Sequence, residues 1–138
     1  MTAVKHFEKN AVGNDYVVGD IHGEFHLLQS KLDELQFNPE VDRLFSVGDL
    51  VDRGTESEKC LEWLNKPWFH SVRANHEQMI IDAYREEDDR YAVHSFQNGG
   101  AWFFALFEQE RLLEQPVRQQ RNRTYVAKEV IELLERRT

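Results

Sequence analysis

The sequence holds a single cysteine, Cys60, among its 138 residues. A lone thiol excludes an internal disulfide and fits a reducing compartment. It sits in Glu58-Lys59-Cys60-Leu61-Glu62-Trp63-Leu64, a helical pattern, so the thiol is expected in the core. No apolar run approaches the roughly 20 residues a membrane span needs. The first thirty residues also lack the charged, apolar and cleavage regions of a secretory signal. The expectation is a soluble, cytoplasmic protein that does not engage a membrane. Positive charge is scarce too: 17 Lys and Arg stand against 25 Asp and Glu, a net charge of -8. That balance argues against nonspecific binding to nucleic acid.

The charge is unevenly placed. Residues 111–138 hold seven basic and four acidic side chains, so residues 1–110 carry a net -11. Such an acidic region repels anionic substrates at long range. If it handles phosphate, a cation must be added locally, and a divalent metal is the obvious candidate. Hydrophobic residues make up 41% of the chain, enough for a core in a domain of this length.

Three strand–loop–helix units follow one another. Tyr16-Val17-Val18-Gly19 reads as a buried strand that stops at Asp20. Phe25, Leu28, Leu32 and Leu35 then recur at helical spacing, and Asn38-Pro39 is expected to break that helix. A second strand, Leu44-Phe45-Ser46-Val47-Gly48, ends at Asp49. A helix through Leu61 and Leu64 follows, capped by Thr55 or Ser57 and ended by Pro67. Trp68-Phe69-His70-Ser71-Val72 is the third strand. Met79, Ile80 and Ala83 mark a third helix, which closes in the acidic cluster Glu86-Glu87-Asp88-Asp89. This order predicts a parallel α/β sheet with right-handed crossovers. Ligands in such sheets sit at the carboxyl ends of the strands. Beyond it, Ala101 to Phe107 reads as an aromatic-rich helix or core segment. Residues 111–124 read as a polar linker. Residues 125–138 form an amphipathic helix with Val126, Val130, Ile131, Leu133 and Leu134 on one stripe, able to cover a sheet face, dock on a partner or mediate self-association.

The polar clusters fall at the strand ends. Gly19-Asp20-Ile21-His22-Gly23 offers a carboxylate and an imidazole, a mixed pair suited to divalent transition metals. An ordinary polar loop would read the same. Gly48-Asp49-Leu50-Val51-Asp52-Arg53-Gly54 places a second carboxylate at the matching position. Two carboxylates ending adjacent strands repel unless a cation lies between them. Arg73-Ala74-Asn75-His76-Glu77 adds a neutral oxygen ligand and a ring that titrates near neutrality. Asn75 is equally a candidate helix cap.

Taken together and in this order, Gly-Asp-x-His-Gly, Gly-Asp-x-x-Asp-Arg-Gly and Asn-His-Glu resemble the calcineurin-like metallophosphoesterase family. Ser46 to Gly54, Pro67-Trp68-Phe69, Asn75 to Met79 and Asn98-Gly99-Gly100-Ala101-Trp102-Phe103-Phe104 are similar to its phage lambda-type branch of serine/threonine protein phosphatases and their enterobacterial relatives. The resemblance runs from Val17 to Phe107. It identifies residues 1–110 as the amino-terminal half of such a domain: a partial sheet of βαβαβα units with helices packed on it.

The resemblance implies hydrolysis of phosphomonoesters, phosphorylated protein or a small phosphoester, by a metal-activated water. It implies two divalent ions, Mn before Fe, Zn or Ni. Asp20, His22 and Asp49 would hold the first, with Asp49 bridging to a second on Asn75. His76 would protonate the leaving alkoxide with Asp52 as its orienting partner, and Arg53 and Arg73 would hold the phosphoryl oxygens. These roles agree with the physics. Two metals about 4 Å apart clamp both ends of an in-line displacement. Arg presents a planar fork to phosphate, and a histidine kept cationic by a carboxylate is a competent general acid.

Two features depart from the family. Its members complete the second metal site with two histidines from the carboxyl-terminal half. The histidines here are His6, His22, His26, His70, His76 and His94, so that site is incomplete within these residues. Ala74 stands where the family usually has glycine. His94 reads more simply as a surface or core residue than as a substitute ligand, and His26 is expected on an exposed helix face. Three alternatives accompany the phosphatase. One is a dinucleotide polyphosphate hydrolase, which shares all three loops. Another is a catalytically impaired remnant that binds one metal or a partner. The third is an assembly in which a second chain covers the open sheet.

Overall fold

A computed structural model describes residues 4–105 and 128–138. The order is β1 (Asp15–Val18), α1 (Phe25–Glu34), β2 (Arg43–Ser46), a 3-10 turn (Ser57–Lys59), α2 (Cys60–Leu64), β3 (Phe69–Ser71), α3 (Asn75–Arg85) and α4 (Asp89–Gln97). Residues 101–105 and 128–137 are also helical. The strands form one parallel sheet in the order β1-β2-β3. Val17 pairs with Phe45 and Phe45 with His70, so the three strand ends lie side by side. The expected α/β architecture, with the polar loops at one end of a parallel sheet, is therefore present.

One face of the sheet carries the core. Tyr16, Val18, Leu44 and Phe69 point to it, together with Phe25, Leu28 and Leu32 of α1 and Ile80 and Ile81 of α3. The opposite face is thinly covered among the described residues. Val17 is 74% exposed, so β1 alternates in and out and is not the fully buried strand its apolar run suggested. On that face Phe7 stacks edge-on against Phe45, and Arg43 forks onto Asp15 through Nε and Nη2, both at 2.8 Å.

Two boundaries differ from expectation, each for a local reason. Helix α1 stops before Asn38-Pro39 because Gln36 turns left-handed at φ 56. The Gln36 and Phe37 amides then donate back to the carbonyls of Asp33 and Leu32, a Schellman closure. The segment before α2 is not capped by Thr55 or Ser57. Glu56 occupies the cap position without a side-chain capping bond, while the Ser57 hydroxyl accepts the Asp52 N–H at 2.9 Å. The acidic cluster closes α3 as expected, with Glu86 at its C-cap, and it also starts α4, where the Asp88 side chain accepts the Arg90 amide. Helix α4 carried no readable apolar stripe, since Tyr91, Val93 and Phe96 are all exposed.

Val130, Ile131, Leu133 and Leu134 are buried in the same core cluster as the sheet. The apolar stripe of residues 128–137 is thus spent within the chain. Residues 111–124, read as a linker, and Val126 lie outside the described residues.

Candidate metal centre

The loop after β1 and the loop after β2 are locked to each other by backbone. The Asp49 carbonyl accepts the amides of Ile21 and His22 at 3.0 and 2.9 Å, and the Leu50 carbonyl accepts that of Gly23 at 2.8 Å. This approach needs Gly54, because a Cβ there would land on the His22 carbonyl oxygen. The result is that Asp20, His22 and Asp49 each bring one ligand atom within 4.8 Å of the others.

The backbone under these residues is unusual. His22, Asp49, Asp52 and Arg53 have φ of 44, 53, 74 and 73°. Each such residue costs about 1–2 kcal/mol relative to a right-handed conformation. Strain of this kind collects at functional sites, where surrounding contacts over-determine it.

The donor set fits a divalent metal. His22 Nδ1 lies 3.0 Å from the Val51 carbonyl, which only accepts, so Nδ1 carries the hydrogen. The lone pair is then on Nε2, which stands 3.7 Å from Asp20 Oδ2. A ligand histidine whose second nitrogen is tied to a carbonyl is the usual arrangement in metal sites. Asp49 Oδ1 accepts the backbone amide of His76 at 3.0 Å, joining this cluster to the start of α3.

That helix start presents the third loop. Ala74 is the N-cap at φ -110 and ψ -167, ordinary extended backbone, so alanine is accommodated where the family has glycine. Asn75 is the first helical residue and makes no cap, which corrects its reading as a capping side chain. The His76 ring lies 4.6 Å from that of His22, edge to face. Its Nδ1 bonds Asp52 Oδ2 at 2.8 Å, and both side chains are buried. Burial pushes the Asp52 carboxyl upward, while its bonds from Trp102 and His76 pull the other way.

Arg53, Asn75 and His76 line one cleft of about 530 Å³ between α3 and α4, with Met79, Asp82, Tyr91, His94 and Asn98. His94 is exposed on α4 and faces this cleft. Arg73 is not among the lining residues. Its guanidinium donates to the Glu135 carbonyl at 2.9 Å and to Gln78 Oε1 at 3.2 Å. His26 is exposed and bonds Glu56 at 2.6 Å, away from the ligand cluster. Cys60 is fully buried, and burial pushes its thiol up to about 12.

Three neighbours of the site were not singled out from the sequence. The Ser57 hydroxyl anchors the Asp52 amide. Glu77 is fully buried, accepts the Leu50 amide at 3.2 Å, and is pushed by burial up to about 7. Trp102 donates its indole N–H to Asp52 Oδ1 at 2.6 Å. Glu77 and Trp102 lie within the motifs that resemble the family, but nothing in their spacing says which loop they reach.

Residues 16–129 match the family model for calcineurin-like phosphoesterases, and the chain belongs to that family. It is 51% identical over 96 residues to serine/threonine-protein phosphatase 2 of Escherichia coli, an overlap covering 70% of this chain and 43% of the relative. It is 44% identical over 71 residues to a symmetrical bis(5'-nucleosyl)-tetraphosphatase of Erwinia tasmaniensis, covering 50% of this chain and 26% of the relative. A crystal structure provisionally described as a diadenosine tetraphosphatase superimposes with a TM-score of 0.50 at 30% identity, over 62% of this chain and 38% of that one. The chain thus spans less than half the length of the curated relatives it matches.

Proposed function

We propose that the chain provides the metal-binding and proton-donating side of a phosphomonoesterase acting on phosphoserine and phosphothreonine. The carrying observation is the buried His76–Asp52 pair set against the Asp20, His22 and Asp49 cluster, its imidazole 4.6 Å from that of His22. Asp20, His22 and Asp49 would hold one divalent ion, and Asp49 with Asn75 part of a second. Bound there, such ions supply an activated water and offset charge on the phosphoryl oxygens.

The chain's own residues do the rest. Asp52 holds Nδ1 of His76, leaving Nε2 to carry a proton to the departing alkoxide. Arg53, on the cleft wall, offers planar donors to the phosphoryl group. Arg73 joins it only on leaving the Glu135 carbonyl. Manganese is the metal expected first. The cytoplasm is the expected compartment, in keeping with a buried free thiol and with no helix among the described residues long and apolar enough to cross a membrane.

The test is metal content of the purified chain combined with turnover of p-nitrophenyl phosphate and a phosphoserine peptide in manganese. Bound metal with turnover that falls about 100-fold or more in His76→Asn supports the reading. Unchanged turnover in that variant would remove His76 from the mechanism. One ion per chain without turnover in the parent would make it a metal-binding remnant. The Erwinia relative favours a second reading, hydrolysis of dinucleoside polyphosphates. Faster cleavage of diadenosine tetraphosphate than of the phosphopeptide would select it.

A further inference from the structure

Asp52 and Arg53 are consecutive residues in left-handed backbone, at φ 74 and 73°. A pair in that conformation persists only where its surroundings hold it. Inside its own loop, the Asp52 amide donates to Ser57 and the Gly54 amide returns to the Asp52 carbonyl at 2.9 Å. Two further fixings come from a distant stretch, residues 98–102. The Gly99 carbonyl accepts the Arg53 amide at 3.3 Å, and the Trp102 indole donates to Asp52 Oδ1 at 2.6 Å.

Both contacts are specific to the residues that make them. Gly99 itself sits at φ 97, and a Cβ there would stand 2.8 Å from the Arg53 nitrogen. Indole is a donor without an acceptor, so its bond to Asp52 runs one way. It occupies Oδ1 of a carboxylate with no exposed surface, and Oδ2 is then the oxygen that meets His76 Nδ1 at 2.8 Å. A buried carboxylate short of one of these donors would be free to rotate or to take up a proton.

We propose that residues 98–102 form a positioning clamp on the proton-donating side of the site. Trp102 acts through Asp52 to aim His76, and Gly99 acts through its carbonyl to set Arg53. The effect on turnover rests on the phosphatase reading, whereas the clamp itself does not.

Trp102→Phe keeps a ring and removes the N–H. In manganese with p-nitrophenyl phosphate, kcat should fall about tenfold to a hundredfold, with KM and manganese affinity within about twofold of the parent. Parental kcat, or a fall in manganese affinity in step with kcat, overturns the proposal. A second arm needs neither activity nor a change at Trp102. The Trp102 indole N–H resonance, assigned through its backbone, should lie downfield of those of Trp63 and Trp68. It alone should move upfield in Asp52→Asn. A Trp102 resonance indifferent to Asp52→Asn overturns the clamp whatever the turnover. A responsive resonance in a parent chain without turnover retires the phosphatase reading and leaves the clamp standing.

Discussion

The loops after β1 and β2 and the helix of residues 128–137 are held in place by opposite means. The loops bury little apolar surface of their own beyond Ile21, Leu50 and Val51. They are fixed by cross-loop hydrogen bonds and close backbone approach, and they keep four non-glycine residues left-handed. The terminal helix has regular backbone and is held by four apolar side chains sunk into the core. Its polar links, Glu135 to Arg73 and Arg85, sit at the surface. A region held by directional bonds gives geometric precision to ligand atoms. One held by apolar burial gives stability with little demand on orientation. The two roles should separate under mutation.

The sharpest break in that comparison is His22→Ala. Manganese affinity, followed by calorimetry, should drop about 100-fold or more, while the unfolding midpoint moves little. A large loss of stability instead would mean the loop also bears load. Next is Leu134→Ala, a fully buried side chain of the terminal helix. Urea unfolding should show a loss of about 3 kcal/mol, with manganese affinity of the folded fraction preserved. Equal losses of affinity and stability would erase the distinction.

On the loop side stands Glu77, buried, bonded to the loop at Leu50, and pushed by burial up to about 7. Its Oε2 has no hydrogen-bond partner among the described residues. Below pH 4.5 both folded and unfolded chains carry this proton. Between there and about 7 the folded chain binds more protons, so stability falls as pH rises, and above that the loss is complete. In the metal-free chain, Glu77→Gln should therefore abolish a decline of about 2 kcal/mol between pH 5 and 8. A parallel decline in parent and variant would assign it to another group. The smallest effect is expected of Glu135→Ala. The Arg85 pair it removes is exposed, and the Arg73 bond uses the backbone carbonyl, so the midpoint should barely shift. A large shift would show that the polar links hold this helix after all.

Much of this was legible in the chain itself. Apolar runs that stop at Asp20 and Asp49 mark strands whose ends carry candidate metal ligands, because a strand packed on the core gives way to loop where charged residues begin. The i, i+3, i+7 spacing of Phe25, Leu28 and Leu32 marks α1, since helices bury one stripe. The gathering of Asp20, His22 and Asp49 follows from parallel strands in register. Sequence alone therefore determined the order of elements as far as α3, the parallel sheet and the family.

What it left open depends on contacts between residues far apart in the chain. Whether Ser57 caps its own helix or anchors Asp52, and whether Arg73 faces the cleft or Glu135, are decided by which partner packing brings within bonding distance. The same holds for Trp102, fifty residues from the carboxylate it holds. A hydrogen bond has a range of about 3 Å, and no local pattern encodes a neighbour that only the folded chain supplies.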